Sequence, residues 1–352
     1  MAVTIRDVAA RADVSVATVS RALRNHPSIS DRTRDHVVSV ANEMGYVLPV
    51  RSAQARIDST RPRIAFIVPF VGRWYFARVL EGAERVMHDR GIDLIVSRPM
   101  DSQGRRRALA EYLQDLAVNG AVAVAMPIGD AELDSLERVG IPLVMIGVNH
   151  PNVTHVRIDD VVAGQTAARH LLELGHERIG LVSEGPFEPW AFSASQDRRS
   201  GFLKALEEAR ITWDPALEVH ADFTARGAEA AVERLFEMPN PPTAIVAQSD
   251  EMAYGVMAAA RKHGLRVPDD LSIVGIDDHD VAAAWDLTTV AQPVDTLGEL
   301  AAWQIASRVL GDVTTEVQKL IVPTSLVVRN STARWEHSGG SARGWPEIRE
   351  LT

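Results

Sequence analysis

The fold of the N-terminal part is decided by residues 4–23, which read TIRDVAARADVSVATVSRAL. Thr4 and Ser15 are small polar residues of the kind that begin helices, and each precedes apolar residues at helical spacing. Asp13 and Val14 separate the two runs and are placed to form a tight turn. The stretch therefore predicts two short helices joined by a turn.

A third helix is predicted to brace this pair, because Ser30 can cap it and Gly45 can end it. Helical spacing points two sets of apolar side chains toward a common core: Val16, Val19 and Leu23 in the second helix, and Val37, Val40, Ala41 and Met44 in the third. This pattern is typical of a helix-turn-helix, whose second helix enters the major groove of DNA. A plain three-helix bundle without a ligand is the alternative.

The second helix offers DNA small and basic side chains, and no acidic residue lies between Ser15 and Ser30. Serine and threonine hydroxyls suit phosphate oxygens, whereas an arginine reaches a phosphate or a guanine edge. The predicted DNA contacts in this part of the chain are Thr4, Ser15, Val16, Ala17, Thr18, Ser20, Arg21 and Asn25.

Charge divides the chain into two parts. Residues 1–60 hold eight arginines and six acidic residues, whereas the rest of the chain holds 29 basic and 41 acidic residues. A mildly basic head on an acidic body confines DNA affinity to a small docking face. The 352 residues include no cysteine, which excludes disulfides and thiolate metal sites. We expect no metal, cofactor or membrane segment and a cytoplasmic location, since Arg6, Asp7 and Arg11 interrupt any apolar signal region.

From Arg63 onward, short apolar strands alternate with amphipathic helices, which predicts parallel sheets wound by helices. The predicted strands are Ile64–Val68, Leu94–Ser97, Ala121–Met126, Leu143–Ile146, Ile179–Ser183, Ala244–Gln248 and Ser272–Ile276. Two successive sets, one before about residue 160 and one after it, indicate two similar lobes with a ligand cleft between them. The sequence holds none of the common nucleotide-cradling, esterase or metalloprotease motifs, so no catalytic residue is assigned.

Residues 4–23, with Gly45 and Tyr46 closing the third helix, resemble the DNA-binding head of the LacI/GalR family of bacterial repressors. The resemblance continues almost to Ser331 and Thr332. One departure lies in the turn, where Asp13 replaces the usual glycine, although aspartate tolerates a left-handed backbone better than most residues. The resemblance implies a helix-turn-helix head and an α/β body of two doubly wound parallel-sheet lobes, like a type I periplasmic binding protein.

The family topology implies that the chain crosses between the lobes near Val161, Ala291 and Val322. The predicted parts are a head (1–46), a hinge (47–61), a DNA-proximal lobe (62–161 plus 291–321), a distal lobe (162–290 plus 322–335) and a disordered tail (336–352). The tail lacks a leucine heptad, so no coiled-coil tetramer is expected. One head covers one half-site, so we expect a homodimer on a near-palindromic operator.

The hinge is the least family-like segment. In the family it folds on the operator and inserts a leucine pair into the minor groove. Here Ala53 matches the pattern, but the leucine position falls on Ala55 or Arg56, with Ile57 beyond it. Two interpretations stay open: Ile57 is the inserted wedge, or Arg56 reads the minor groove electrostatically.

Several effector contacts follow from the resemblance, residue by residue: Tyr75, Phe76, Arg198, Phe223, Asp250, Asp277 and Gln292. Acids and an arginine among aromatic faces suit a sugar or another polyol. Each has a structural alternative: Asp250 could cap a helix, Tyr75 and Phe76 could be core, and Arg198 could pair with Asp277.

Two departures bear on the effector. Arg73 adds a cation, and Gly147 stands where family members often have aspartate. The two changes favour an acidic or larger saccharide, unless Arg73 faces solvent or a dimer partner. The predicted function is a repressor controlled by a small molecule between the lobes. The alternatives are a regulator with a non-sugar effector and a saccharide-binding protein without a DNA role.

Overall fold

The computed structural model describes residues 5–23, 30–44, 61–98, 113, 117–185, 192–312 and 316–335. Residues 1–58 and residues 59–352 form two compact units, which are described one at a time. The predicted contacts Thr4, Asn25, Ala53, Arg56 and Ile57 lie outside the described residues, as do the predicted tail and nearly all of the hinge.

The described residues of the first unit form three helices, namely α1 (Ile5–Arg11), α2 (Val16–Leu23) and α3 (Asp31–Glu43). The predicted caps are present in the last two, because the Thr18 amide donates to Ser15 Oγ at 3.1 Å and the Thr33 amide donates to Ser30 Oγ at 3.3 Å. Asp13 occupies the turn with a φ of 52°, the left-handed conformation that the turn requires.

The core of this unit is small and aliphatic. Its buried members are Val8, Ala9, Ala12, Val19, Ala22, Val37, Val40 and Ala41, with Val14 and Met44 packed against them. The inward orientation predicted for Val16 is wrong, since 42% of Val16 is exposed. Val16 begins α2 and is not a member of the three-helix core, whereas Val19 and Ala22 of the same helix are buried in it.

The second unit contains two six-stranded sheets and seven further helices among its described residues. The helices are α4 (Trp74–Asp89), α5 (Asp130–Arg138), α6 (Asp160–Glu173), α7 (Ser193–Glu208), α8 (Ala225–Phe236), α9 (Asp250–Lys262) and α10 (Val294–Leu310). The strands are β1 (Arg63–Ile67), β2 (Asp93–Ser97), β3 (Gly120–Val124), β4 (Leu143–Ile146), β5 (Thr154–Arg157), β6 (Ile179–Glu184), β7 (Glu218–Ala221), β8 (Ala244–Ala247), β9 (Ser272–Asp277), β10 (Thr288–Ala291), β11 (Lys319–Ile321) and β12 (Ser325–Val327).

The strand order is β11-β5-β4-β3-β1-β2 in the first sheet and β12-β10-β9-β8-β6-β7 in the second. Every pairing is parallel except β10 with β12. The chain leaves the first sheet after β5, returns to it after β10 for α10 and β11, and crosses again before β12. We call the first sheet with α4, α5 and α10 the first lobe, and the second sheet with α6–α9 the second lobe.

All seven strands predicted from apolar runs are present, with ends shifted by two residues at most. Sequence analysis did not identify β5, β7, β10, β11 and β12, because these strands are short and include polar residues, so they form no apolar run. The predicted limits of head, hinge and lobes stay predictions.

Glycines bring paired helices into contact in both lobes. In the first lobe, a Cβ at Gly82 would lie 2.1 Å from the Asp295 carbonyl oxygen, so α4 and α10 touch through their backbones. In the second lobe, a Cβ at Gly164 would lie 2.0 Å from the Arg198 carbonyl oxygen, and one at Gly201 would lie 1.9 Å from that of Val161. The two glycine contacts of the second lobe hold α6 against α7, and both helices contribute to the functional site.

A buried histidine ties the end of the described chain to the second lobe. His176 Nδ1 lies 2.9 Å from Thr243 Oγ1, and its Nε2 lies 3.0 Å from Ser272 Oγ and 3.1 Å from the Ala333 carbonyl oxygen. Burial lowers the pKa of His176 to about 4. These contacts make His176 a structural residue.

This histidine predicts an acid-sensitive contribution to stability. The folded-state pKa of His176 lies below its unfolded value of about 6.5, so the unfolded chain binds the extra proton first. The free energy of unfolding therefore falls as pH drops from about 6.5 to about 4, by at most about 1.4 kcal/mol per pH unit from this group. Urea unfolding between pH 4 and 7 should show a shallower pH dependence in His176→Gln than in the parent. His88→Gln, on the exposed side of α4, is the control, and equal slopes for His176→Gln and the parent would contradict the assignment.

Candidate functional site: the cleft between the lobes

The carboxyl ends of strands from both sheets border a cleft of about 800 Å³. Strand ends supply Ala125, Gly147, Ile158, Ser249, Asp277 and Gln292, and helix starts supply most of the remaining wall. The polar lining residues are Arg73, Tyr75, Asp160, Ser193, Arg198, Ser249, Glu251, Asp277 and Gln292, and the larger apolar ones are Trp74, Phe76, Ile158, Phe192, Phe223 and Leu297. This is the place that parallel-sheet topology assigns to a ligand.

Arg198, on α7, is the buried cation of the cleft, with 6% of its surface exposed. Its Nε donates to Asp160 Oδ1 at 2.8 Å, and its Nη1 donates to the Gln248 carbonyl oxygen. Asp277 Oδ1 lies farther from Nη1, at 3.8 Å. The predicted Arg198–Asp277 pairing is thus present as the longer contact, and sequence analysis missed the shorter one with Asp160. The acidic pair at positions 159 and 160, directly after a short strand, was the signal that could have identified it.

Asp277 ends β9 in a strained conformation, with a φ of 137°. Gln292 Nε2 donates to its Oδ1 at 2.6 Å. Burial raises the pKa of Asp277 to about 8, although the Arg198 cation opposes the rise. Burial thus favours the protonated carboxyl, which can both donate and accept hydrogen bonds. Such a group is well matched to a ligand hydroxyl.

A row of aromatic rings crosses the cleft from one lobe to the other. Ring centroids are 5.9 Å apart for Phe70 and Phe76, 6.4 Å for Phe76 and Phe192, and 5.9 Å for Phe192 and Phe223. Tyr75 lies beside this row, and burial raises the pKa of its phenol, which keeps it neutral. Apolar ring faces beside hydroxyl-binding groups suit the C–H faces of a sugar or another ring. The sequence identified every member of this row that lines the cleft except Phe192.

The two lobes also touch at the rim of the cleft, where Trp74 stacks on His279 with centroids 4.7 Å apart. Trp285 is not among the described lining residues. It packs at 5.7 Å from Tyr254 and is 41% exposed. The chain after β9 carries it away from the cleft.

The structure does not place Asp250 on the cleft wall, which corrects the sequence-based expectation. Asp250 is fully buried, and its two carboxylate oxygens accept from Thr289 Oγ1 at 2.6 Å and from the His279 amide at 2.8 Å. Gly275 leaves the space that the carboxylate fills. The helix cap is the preceding residue, Ser249, which accepts from the Met252 amide. Asp250 thus fastens the loop after β9 beneath the cleft, whereas its neighbour Glu251 lines it.

Arg73 lines the cleft, with its guanidinium carbon 3.8 Å from the centroid of the Phe70 ring. Gly147 also lies in the lining, and a Cβ added there would meet Tyr75 Oη at 3.3 Å. Both residues that depart from the family pattern therefore face the ligand space. The structure brings together Arg73, Tyr75, Phe76, Arg198, Phe223, Asp277 and Gln292 in one cleft.

On α2, the described side chains of the predicted DNA face are Ser15, Val16 and Thr18. The Ser15 and Thr18 hydroxyls are hydrogen bonded at 2.8 Å, and Val16 is exposed. Ala17, Ser20 and Arg21 lie in α2, but their side chains are outside the described residues. Within the described ranges, no cluster of three metal-ligating side chains occurs, and no helix is long and apolar enough to cross a membrane.

Comparison with known proteins decides the family. Residues 4–48 match the family described as bacterial regulatory proteins of the lacI family, and residues 168–332 match the periplasmic binding protein-like domain. The transcriptional regulator DegA of Bacillus subtilis (strain 168) is 33% identical over 95% of this chain and 99% of its own. The chain belongs to the LacI family.

A second relative of this LacI-family chain is the transcriptional repressor CytR of Escherichia coli (strain K12), 31% identical over 94% of this chain and 96% of its own. Among solved structures, a complex of the regulator CelR with cellobiose is 28% identical, with a TM-score of 0.69 over 94% of this chain and 99% of that one. The lac repressor dimer bound to operator and the anti-inducer ONPF is 25% identical, with a TM-score of 0.68 over 95% of this chain and 100% of that one.

These similarities span nearly the whole chain, so the LacI-family protein is a DNA-binding transcriptional regulator and not an enzyme. The predicted fold class is confirmed: a helix-turn-helix head and two parallel-sheet lobes like those of periplasmic binding proteins.

Proposed function

We propose that this regulator is a repressor whose affinity for operator DNA is set by a small polyol, a sugar or sugar derivative, bound between the two lobes. One observation carries the proposal. Arg198, Asp160, Asp277 and Gln292 form a buried polar cluster that opens into a cleft lined with aromatic rings. Vicinal hydroxyls can bridge such a cluster while the sugar ring stacks on an aromatic face.

The lobe contacts indicate how a ligand would act. Tyr75 and Phe76 reach the cleft from α4 of the first lobe, whereas Arg198 and Asp277 reach it from the second. A ligand that touches both sets favours one relative orientation of the lobes, and such a rotation in a dimer alters the spacing of the two DNA-binding heads. The solved relatives support this view, since CelR binds cellobiose and the lac repressor binds its operator as a dimer.

The proposed function also implies an oligomeric state and a division of the chain into parts. We propose a cytoplasmic homodimer on a near-palindromic operator, with the head, hinge and lobes divided as the sequence predicts. Ser15, Val16 and Thr18 lie at the start of α2, where such heads meet DNA. The proposed effector contacts are Arg73, Tyr75, Phe76, Asp160, Arg198, Phe223, Asp277 and Gln292.

The test uses the full chain. Selection from a random duplex library gives an operator, and a thermal-shift screen of saccharides and flat heterocycles gives ligands. We expect a saccharide to raise the melting temperature and to change operator affinity, measured by fluorescence anisotropy, by five-fold or more, within the usual range of allosteric coupling. A chain lacking residues 1–60 should keep the ligand and lose the operator. Binding of heterocycles alone would replace the polyol with a planar effector, and a ligand without any effect on operator affinity would overturn the regulatory role.

A further inference from the structure

We infer that the effector carries an anionic group, a carboxylate or a phosphate ester, which binds at the start of α4 through Arg73 and Trp74. This inference rests on the proposed function, because it concerns the ligand of the same cleft. It follows from how the two walls of the cleft differ in charge and in hydrogen-bonding capacity.

The three carboxyl groups in the described lining, Asp160, Glu251 and Asp277, belong to the second lobe. The first-lobe wall, as far as the structure describes it, contains no acid and one cation, Arg73. Gly147 adds no side chain there. A ligand that spans the cleft therefore meets hydroxyl-binding carboxyls on one side and hydrogen-bond donors without an acid on the other.

Within the described part of the chain, no carboxylate competes for the charge of Arg73. Its guanidinium lies over the Phe70 ring, and the guanidinium carbon of Arg98 lies 5.9 Å from the same ring. Neither arginine forms an ion pair with any carboxylate of the described residues. Arg198, in contrast, is held by Asp160 and approached by Asp277. Arg73 is thus the cation of the cleft that is available to an anion.

Trp74 supplies an unused donor next to Arg73. Its ring is fixed by the stack on His279, and its indole Nε1 is buried without a hydrogen-bond partner among the described residues. An indole N–H can only donate, and leaving it unpaired in a buried site is costly. Because Trp74 lines the cleft, a ligand oxygen that reached Nε1 would satisfy this donor.

The first turn of α4, next to Arg73 and Trp74, has no side-chain cap. Arg73 is the N-cap of α4, no side chain accepts from the first turn, and that turn contains no acid. Helices α6 and α9 also begin at the cleft, but Asp159 and Ser249 cap them, and acids occupy their first turns. Helix α7 lacks a side-chain cap and a first-turn acid, as α4 does, but it begins in the second lobe, which carries the three carboxyl groups of the lining. The first amides of α4 thus add positive partial charge beside Arg73 and Trp74. Cation, indole donor and helix start together favour an oxyanion.

Calorimetry on the full chain with matched pairs of ligands tests this inference. The pairs are glucose with glucuronate and with glucose 6-phosphate, and cellobiose with its uronic acid. We expect the anionic member of at least one pair to bind about ten- to hundred-fold more tightly than its neutral counterpart, as one charge-assisted contact provides. Comparison of glucuronate with glucose 6-phosphate shows whether the site prefers a carboxylate or a phosphate ester.

Substitutions of Arg73 and Trp74 test whether the preference for the anionic ligand arises at the start of α4. Arg73→Gln should remove most of the preference, because the charge-assisted contact is made only with the anionic ligand. Trp74→Phe keeps a ring on His279 and should weaken the anionic ligand about five- to ten-fold. Arg85→Gln removes a charge from the same helix outside the cleft lining and should change neither affinity.

The outcomes separate this inference from the proposed function. If the neutral sugar binds as tightly as its anionic counterpart in every pair, or if the preference survives Arg73→Gln, the anion site is overturned and saccharide control stays intact. If no saccharide of either kind binds the full chain or alters its operator affinity, the proposed function fails, and the inference fails with it.

Discussion

Replacing Arg198 with leucine is expected to destabilise the chain by about 3–5 kcal/mol and to abolish effector binding, because it leaves a buried charge without its partner. Asp160 would lose its 2.8 Å hydrogen bond, and the Gln248 carbonyl oxygen would lose its donor. Chemical denaturation measures the first effect and calorimetry the second. Arg169→Leu is the control, since Arg169 and its partner Glu208 are both about half exposed, and such pairs contribute about 0–1 kcal/mol.

A second variant shows whether the lost stability comes from the stranded carboxylate. Adding Asp160→Asn to Arg198→Leu removes the uncompensated charge and should restore part of the unfolding free energy while effector binding stays absent. If the free energy of unfolding of Arg198→Leu is within about 1 kcal/mol of the parent value, the Arg198–Asp160 pair does not stabilise the second lobe. If it still binds the effector with unchanged affinity, Arg198 is not a ligand contact.

Replacing Gly201 with alanine is expected to destabilise the second lobe by about 1–3 kcal/mol, toward the upper end of that range. The added Cβ would lie 1.9 Å from the Val161 carbonyl oxygen and 2.8 Å from the Gln165 amide, and both are backbone atoms that cannot move aside alone. Helices α6 and α7 must then separate. Because α6 carries Asp160 and α7 carries Arg198, effector affinity should fall together with stability.

Gly72→Ala is the matched control for stability, because a Cβ at Gly72 meets nothing within 4 Å. Urea unfolding of both variants compares the two sites, and calorimetry with the best ligand of the screen follows the affinity of Gly201→Ala. A Gly201→Ala chain as stable as Gly72→Ala would show that the helix pair tolerates separation. Loss of stability with full effector affinity would show that the Arg198–Asp160 contact does not depend on this crossing.

Much of the candidate site could be predicted one residue at a time. Arg198, Asp277, Gln292 and Phe223 were predicted from their places in a family pattern, and all of them line the cleft. Their contacts with one another could not be predicted in the same way. Asp160 and Arg198 are 38 positions apart, and their contact depends on the glycine crossing of α6 and α7.

The prediction that Asp250 lines the cleft was wrong. A strand-end acid faces either into a cleft or beneath the loop that follows, and the sequence around it is the same in both cases. The absent side chain of Gly275 on the neighbouring strand β9 and the hydroxyl of Thr289 decide that this carboxylate points beneath. The inward orientation predicted for Val16 was wrong for a related reason. Helical spacing gives the face of the helix on which a residue lies, but not how far the core extends along that face.

The sequence by itself determined the capped helices of the head, the seven strands that are apolar runs, and the residue types available to a ligand. These depend on neighbours within a few positions, through caps, turns and periodicity. Only the tertiary structure decided which side chains meet. It paired Arg198 with Asp160, turned Asp250 beneath the cleft, and placed Arg73 and Trp74 on a wall whose described residues include no acid. Contacts between distant positions depend on how closely the elements pack, and packing is set by the whole chain.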